Sequence, residues 1–214
     1  MATPIINPAV PNMPLGTEQY ERRYQDQFIN VLRLYFNQLG GAVSTYFGEG
    51  SGRFVSIPCG SFFSNVRQTT TANTVTLMTL NNTDSNATIA TALSNGSVRV
   101  TYPGIYNYQF SAQLFNTDSQ AHDVDIWLKV DGNNVYESAT QVTVPSRHGS
   151  ANGAAVAAWN FVIAAQANSV IDLAWAPYHA DVSLGYAPAA TSPFIRPSIP
   201  SLITTVTFVS RLPT

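Results

Sequence analysis

Short runs of β-favouring residues alternate with turn residues from residue 53 to the end of this 214-residue chain. The runs are rich in Val, Ile, Thr and aromatic side chains, and no helical period of useful length interrupts them. The predicted strands are 53–58, 61–67, 74–80, 97–102, 105–116, 123–130, 134–144, 154–165, 169–176 and 201–211. About ten short strands over residues 53–214 predict a mainly β fold, with a single two-sheet β-sandwich or jelly roll.

Turn residues mark where the predicted strands end. Pro103-Gly104 separates two strands, and the run 131–134 (DGNN) predicts a hairpin. Residues 177–200 contain five prolines and predict one long loop, and such loops in compact domains are often functional. The aromatic residues of this loop are the candidates for an exposed contact: Tyr178, Tyr186 and Phe194. Trp127, Trp159 and Trp175 lie in apolar strand runs, which favours packing in the core.

The segment 17–40 is the one predicted helix, and it is amphipathic. Thr17 suits the N-cap, and Glu18 and Glu21 place negative charge where the helix dipole favours it. Gly40-Gly41 predicts the helix end, and residues 41–52 then form a Gly- and Ser-containing connector.

An apolar seam runs along this helix at the spacing of a coiled coil. Its residues recur at steps of four, three and four: Phe28, Leu32, Tyr35 and Leu39. Two interpretations stay open. The seam covers the core of its own domain, or it joins copies of the chain; the second is the prediction preferred here. About three turns of seam are too few to hold strands together alone, so the helix needs further packing or a larger oligomer.

Residues 1–16 carry four prolines and no charged side chain. Proline fixes φ and lacks a donor, so this arm is predicted to be extended, without regular secondary structure. Its apolar residues predict docking along another protein and are the candidate anchors: Ile5, Ile6, Val10, Met13 and Leu15.

The charge content excludes several classes of partner. Charged residues make up 10% of the chain and the net charge is −2, so we expect neither nucleic-acid nor membrane binding. No apolar run approaches the roughly 20 residues that span a bilayer. The N-terminus lacks the basic start and apolar stretch of a signal peptide, which predicts synthesis in a cytoplasm.

No motif for chemistry is found. His122, His148 and His179 have no partner at ligand spacing, so no metal site and no cofactor are predicted. The chain has no Gly-x-Ser-x-Gly or His-Glu-x-x-His run, and Glu137 is the one Glu after residue 49. We therefore predict no catalytic residues. Cys59 is the single cysteine and is expected to be an inert buried thiol.

The β segment resembles the trimeric jelly-roll family of the complement globular head and tumour necrosis factor. Residues 98–110 (VRVTYPGIYNYQF) are similar to that family's strand, Pro-Gly-x-Tyr turn and aromatic strand. Residues 124–132, the pair 161–163 and 170–173, and the run 204–209 resemble its next hairpin, later strand pair and closing strand. The resemblance covers about three-quarters of the chain and implies a homotrimer.

Residues 24–39 (YQDQFINVLRLYFNQL) are similar to a segment near the start of many tailed-phage virion proteins, especially those of cyanobacterial and marine phages. In those proteins a proline-rich arm and a short helix precede a β head. The resemblance implies a non-enzymatic virion component whose partners are itself and phage capsid or tail proteins. The first hypothesis is a homotrimeric capsid decoration, cement or head-fibre protein. The alternative is a tail-fibre or receptor-binding head that recognises a host-surface glycan.

Overall fold

The computed structural model describes residues 11–15, 19, 21–47, 59–84, 90–92 and 95–212. The chain divides into two compact units, Met1–Ile57 and Pro58–Thr214. The first contains the helix and the second contains all the described strands. The predicted strand at 53–58 lies outside the described residues.

The described elements are one helix and thirteen strands. In chain order they are α1 (Arg22–Phe47), β1 (Cys59–Ser64), β2 (Thr76–Leu77), β3 (Asn82–Thr83), β4 (Ala90–Ala92), β5 (Val98–Val100), β6 (Gly104–Asn116), β7 (His122–Val130), β8 (Asn133–Asn134), β9 (Thr140–Val144), β10 (Gly153–Ala165), β11 (Val170–Pro177), β12 (Val182–Leu184) and β13 (Leu202–Ser210). Within these residues no helix is long and apolar enough to cross a membrane.

The strands form two antiparallel sheets, which confirms the predicted mainly β sandwich. Sheet one has the order β10-β6-β13-β1-β3, with β12 pairing β6 at its end. Sheet two has the order β4-β5-β11-β7-β8, with β2 on β11 and β9 on β7. Consecutive strands β6 and β7 belong to different sheets, as do β11 and β12, so the loops between them cross from one sheet to the other.

Strand β6 shows why this sequence makes a sandwich. Its side chains alternate strictly between buried and exposed positions, the period of two that a strand requires. Tyr106, Tyr108 and Phe110 point inward and pack with Trp175 and Leu173 of the opposite sheet in one core. Burial raises the pKa of the Tyr108 hydroxyl above its ordinary value. Each such side chain contributes about 1.5–3 kcal/mol when fully buried.

The predicted hairpin after β7 is confirmed. Asp131 and Gly132 both have positive φ, at 51° and 79°, which is the type I′ geometry that joins two strands through two residues. Val130 pairs with Asn133 across the turn. Asp131 also accepts hydrogen bonds from Ser169 Oγ at 2.9 Å and from the Val170 amide at 2.8 Å. One aspartate therefore stabilises two adjacent turns.

The helix limits differ from the predicted 17–40. The described helix begins at Arg22 and continues through Gly40 and Gly41 to Phe47, so the described part of the predicted 41–52 connector, residues 41–47, is helical. Glu21 precedes the first turn, which holds no acidic residue, and Thr17 and Glu18 lie outside the described residues. A glycine inside a helix lowers helix stability by only about 1 kcal/mol relative to alanine. The two glycines therefore do not end the helix here.

Two loop regions also differ from prediction. The run 134–144 is not one strand, because Glu137 has a φ of 56° and the chain turns before β9. Ser138 bonds the Leu128 amide at 3.0 Å inside that turn. The 177–200 segment is not wholly loop: it contains β12 and two further bridges, Ala187 with Ile199 and Ala190 with Arg196.

Candidate functional site

The predicted seam of the helix is half-buried. Phe28, Leu32, Tyr35 and Leu39 are each partly covered, and the longer helix adds Ala42 at the same heptad spacing. No residue of the stretch 22–44 is buried. Ile29, Leu34, Phe36 and Val43 are exposed on other faces. The described part of the first unit therefore leaves its apolar seam only partly covered.

The described part of the arm contacts this helix. Residues 11–15 have no regular secondary structure, and the Tyr24 hydroxyl donates to the Pro14 carbonyl at 3.4 Å. Met13 and Pro14 line a cleft together with Gln27, Asn30 and Val31. Met13 is half-buried there, whereas Leu15 is 92% exposed. The other predicted anchors, Ile5, Ile6 and Val10, lie outside the described residues.

Three loops meet at one end of the β unit. They are 117–121 between β6 and β7, 145–152 between β9 and β10, and 178–181 between β11 and β12. The register places them together, because Asn116 pairs with both Gly153 and Val182, and His122 pairs with Val144. All three histidines of the chain lie at this end, one on each loop or at its boundary.

Two of these histidines form a cluster with carboxylates. His122 Nε2 lies 2.7 Å from Asp118 Oδ2, and the His122 and His179 rings stack with centroids 4.1 Å apart and planes 6° apart. His179 Nδ1 lies 3.1 Å from Asp181 Oδ2. The hydrogen bond with His122 lowers the pKa of Asp118 below its ordinary value. The side chain of His122 is 17% exposed and that of His179 is 46% exposed.

Asn116 fixes the geometry of this end. Its buried amide nitrogen lies 2.7 Å from the Gln120 carbonyl and 3.1 Å from the Pro145 carbonyl. The side-chain oxygen of Asn116 accepts a hydrogen bond from the Asp118 amide at 2.9 Å. The Arg147 amide donates a hydrogen bond to the Asp118 carbonyl at 2.8 Å. These bonds hold the Asp118 loop and the 145–152 loop together.

The sequence alone did not predict that Asp118, His122 and His179 form a cluster. Asp118 and His122 are close along the chain, but His179 comes 57 residues later, so no local motif joins them. The structure places Asp118, His122 and His179 with one ligand atom each, all within 4.8 Å of one another. Knowing that β7 and β11 are neighbours would have predicted the cluster, because Asp118 and His122 lie just before and at the start of β7 and His179 lies just after the end of β11.

The exposed aromatic residue Tyr178 lies beside a polar row on the outer face of sheet two. Its hydroxyl donates to Asp125 Oδ2 at 3.1 Å, and Gln141 Nε2 lies 3.2 Å from Asp125 Oδ1. The hydrogen bond with Asp125 raises the pKa of Tyr178. Of the other predicted contact residues, Phe194 is exposed and Tyr186 is half-buried, and the structure shows no contact of either with Tyr178 among its described ring contacts and hydrogen bonds.

The outer face of sheet one is uncharged across four neighbouring strands. Its outward positions are Ala154, Val156, Ala158, Asn160, Val162 and Ala164 on β10, Ile105, Asn107, Gln109, Ser111, Gln113 and Phe115 on β6, Ile203, Thr205, Thr207 and Val209 on β13, and Cys59, Ser61 and Phe63 on β1. Val156, Val162 and Val209 are more than half exposed. A broad apolar and amide-bearing face without charge is typical of a surface between protein chains.

Two expectations about buried residues are only partly met. Trp175 is fully buried and the partly buried Trp159 packs against the core, as predicted, but Trp127 is half-buried and its Nε1 donates to Asn134 at 2.9 Å at the surface. Cys59 is half-buried at the start of β1 rather than buried. Both differences arise because strand alternation places Trp127 and Cys59 on outward faces of their strands.

No protein-family model and no curated protein matches this chain. Solved structures do match it. An Eiger TNF structure from S. frugiperda is 14% identical, with 74% of this chain and 96% of that chain covered and a TM-score of 0.47. The globular domain of zebrafish complement 1qA is 13% identical, with 73% and 99% covered and a TM-score of 0.41.

Proposed function

We propose that this protein is a non-enzymatic structural component of a tailed-phage virion. In this proposal it is a homotrimeric capsid decoration, cement or head-fibre protein, and its arm and helix attach it to the particle. The observation that carries the proposal is the helix, whose heptad seam is only half-buried and whose described side chains include none that are fully buried.

A second copy of the chain is the occupant that suits this seam. Positions at alternating steps of four and three residues stay on one side of a supercoiled helix and so contact their equivalents in a parallel partner. The helix has 26 residues and is about 39 Å long, which gives five seam layers from Phe28 to Ala42. The uncharged outer face of sheet one supports the same association in the β unit.

The virion assignment is supported by the likeness of residues 24–39 to the start of phage structural proteins and by the arm that precedes them. A low content of charged residues suits a particle component assembled in the host cytoplasm. The non-enzymatic assignment is supported by Glu137, the one Glu of residues 53–214, which is exposed in the turn before β9. A paired-carboxylate site that used this Glu would place it beside a second acid in a cleft.

Copy number in purified particles tests the proposal. We expect peptides of this chain in virions at hundreds of copies per particle, measured by quantitative mass spectrometry against the major capsid protein. About a dozen copies per particle would indicate a tail protein instead of a capsid protein. Absence from washed particles would contradict the virion assignment.

The second candidate function is glycan recognition by a tail-fibre or receptor-binding head. The observation that favours it is the exposed Tyr178 ring beside Asp125 and Gln141, since an amphipathic aromatic ring with adjacent carboxylate and amide groups suits a polyhydroxylated ligand.

A glycan array tests this alternative. Binding to host-surface glycans should be lost in Tyr178→Ala and kept in Tyr136→Ala, which removes an 88% exposed tyrosine from another turn. Equal binding by both variants, or no binding by the native chain, would contradict the alternative.

A further inference from the structure

We propose that Asp118, His122 and His179 bind a divalent transition-metal ion, with Zn²⁺ as the ion that their chemistry fits. Two imidazole nitrogens and one carboxylate oxygen are brought within 4.8 Å of one another. Tetrahedral zinc, with bonds of about 2.0–2.1 Å, sets its ligand atoms about 3.3 Å apart. On binding, the His122 and Asp118 ligand atoms, which lie 2.7 Å apart, would separate by about 0.6 Å, and any pair that lies farther apart than about 3.3 Å would close.

The groups around the cluster orient its histidines. The Asp181 carboxylate lies 3.1 Å from Nδ1 of His179, so in this proposal Nε2 of that ring is the ligand atom. Thr117 Oγ1 in turn donates to Asp181 Oδ1 at 2.8 Å. A histidine whose second nitrogen donates to a carboxylate is the usual arrangement of metal-bound histidines, because it fixes the tautomer and raises the basicity of the ligand nitrogen.

The stacked rings indicate which part moves on binding. An ion lies in the plane of each imidazole that binds it, so two parallel rings 4.1 Å apart cannot share one ion without turning. His179 and Asp181 lie on the same exposed loop and can shift together, whereas His122 is the first residue of β7. The ion then takes the place of the proton between His122 and Asp118, and water supplies the fourth ligand.

A bound ion would join the two crossover loops at this end of the sandwich. Asp118 belongs to the loop from β6 to β7 and His179 to the loop from β11 to β12, and each loop links sheet one to sheet two. Binding to the folded chain alone stabilises it by mass action. Two nitrogen ligands select Zn²⁺ over Ca²⁺ and Mg²⁺, which prefer oxygen ligands.

Calorimetric titration of the tag-free, EDTA-treated full chain with ZnCl₂ tests the site. We expect one ion per chain, no displacement by equal concentrations of Ca²⁺, and a rise in Tm of about 5–10 °C at a hundredfold excess over Kd. His179→Ala should abolish the Tm rise, and Asp181→Asn should weaken binding about 10–100-fold. His148→Ala is the matched control, because it removes the histidine of the third loop and should leave binding unchanged.

The His179 side chain is 46% exposed on a loop, so His179→Ala is expected to keep the fold, which circular dichroism checks. The proposal is overturned if the native chain shows neither heat nor a Tm rise with Zn²⁺. It is also overturned if folded His179→Ala binds as tightly as the native chain, or if His148→Ala loses binding to the same extent.

Discussion

Asn116 is fully buried at the end of β6, where its side chain bonds backbone groups of two loops. We expect Asn116→Ala to lower the free energy of unfolding by about 2–3 kcal/mol, because buried carbonyl and amide groups lose their partners. Urea unfolding monitored by fluorescence measures this. The control is Gln166→Ala, which removes an exposed amide side chain from another turn of the β unit and should cost less than about 0.5 kcal/mol. Equal losses in the two variants would contradict the role given to Asn116.

Single residues also show where sequence reasoning succeeded and where it failed. The Asp131-Gly132 turn was predictable because both residues tolerate positive φ and lie between two strand patterns. The Asp118–His122–His179 cluster was not, because it depends on which strands become neighbours, and β7 and β11 are paired only in the fold. Local chemistry is readable from sequence, whereas a site assembled from loops needs the strand order.

At the level of elements, a substitution in the helix tests the seam most directly. Leu32→Asp places a carboxylate at a heptad position, and an unpaired buried charge costs about 3–5 kcal/mol. We expect trimerisation to weaken at least about 100-fold while the near-ultraviolet spectrum of the β unit is kept. Leu34→Asp is the matched control, since Leu34 is exposed on the same helix and is not a seam residue. Equal weakening by both would show that the seam is misassigned.

The strands and the helix differ in how well their limits follow from sequence. Strand β6 lies within one residue of its predicted 105–116 because strict alternation of aromatic and amide residues specifies both faces. The prediction that the helix ends at Gly40 was wrong, because a glycine ends a helix only where the backbone adopts the left-handed cap conformation. Neither Gly40 nor Gly41 has positive φ.

At the scale of the whole molecule, we propose that the N-terminal arm attaches this protein to the virion. Deleting residues 2–15 should leave a soluble, folded protein that no longer binds virions lacking the native chain, because up to five apolar anchors are lost at roughly 1.5–3 kcal/mol each when buried. The control keeps the arm length and its prolines but replaces the five apolar anchors with serine, and it should behave like the deletion. Full-strength decoration by either variant would place attachment in the helix or β unit. Cosedimentation with particles measures it.

The most direct test of the central claim is the mass of the full chain in solution. Light scattering coupled to size-exclusion chromatography at micromolar concentration should give about 69 kDa, three times the 23.1 kDa of one chain. The proposed trimer rests on two surfaces of the described residues, the heptad seam of the helix, which is only partly covered, and the uncharged outer face of sheet one. A homogeneous species of 23.1 kDa would contradict the proposal, since neither surface would then join copies of the chain.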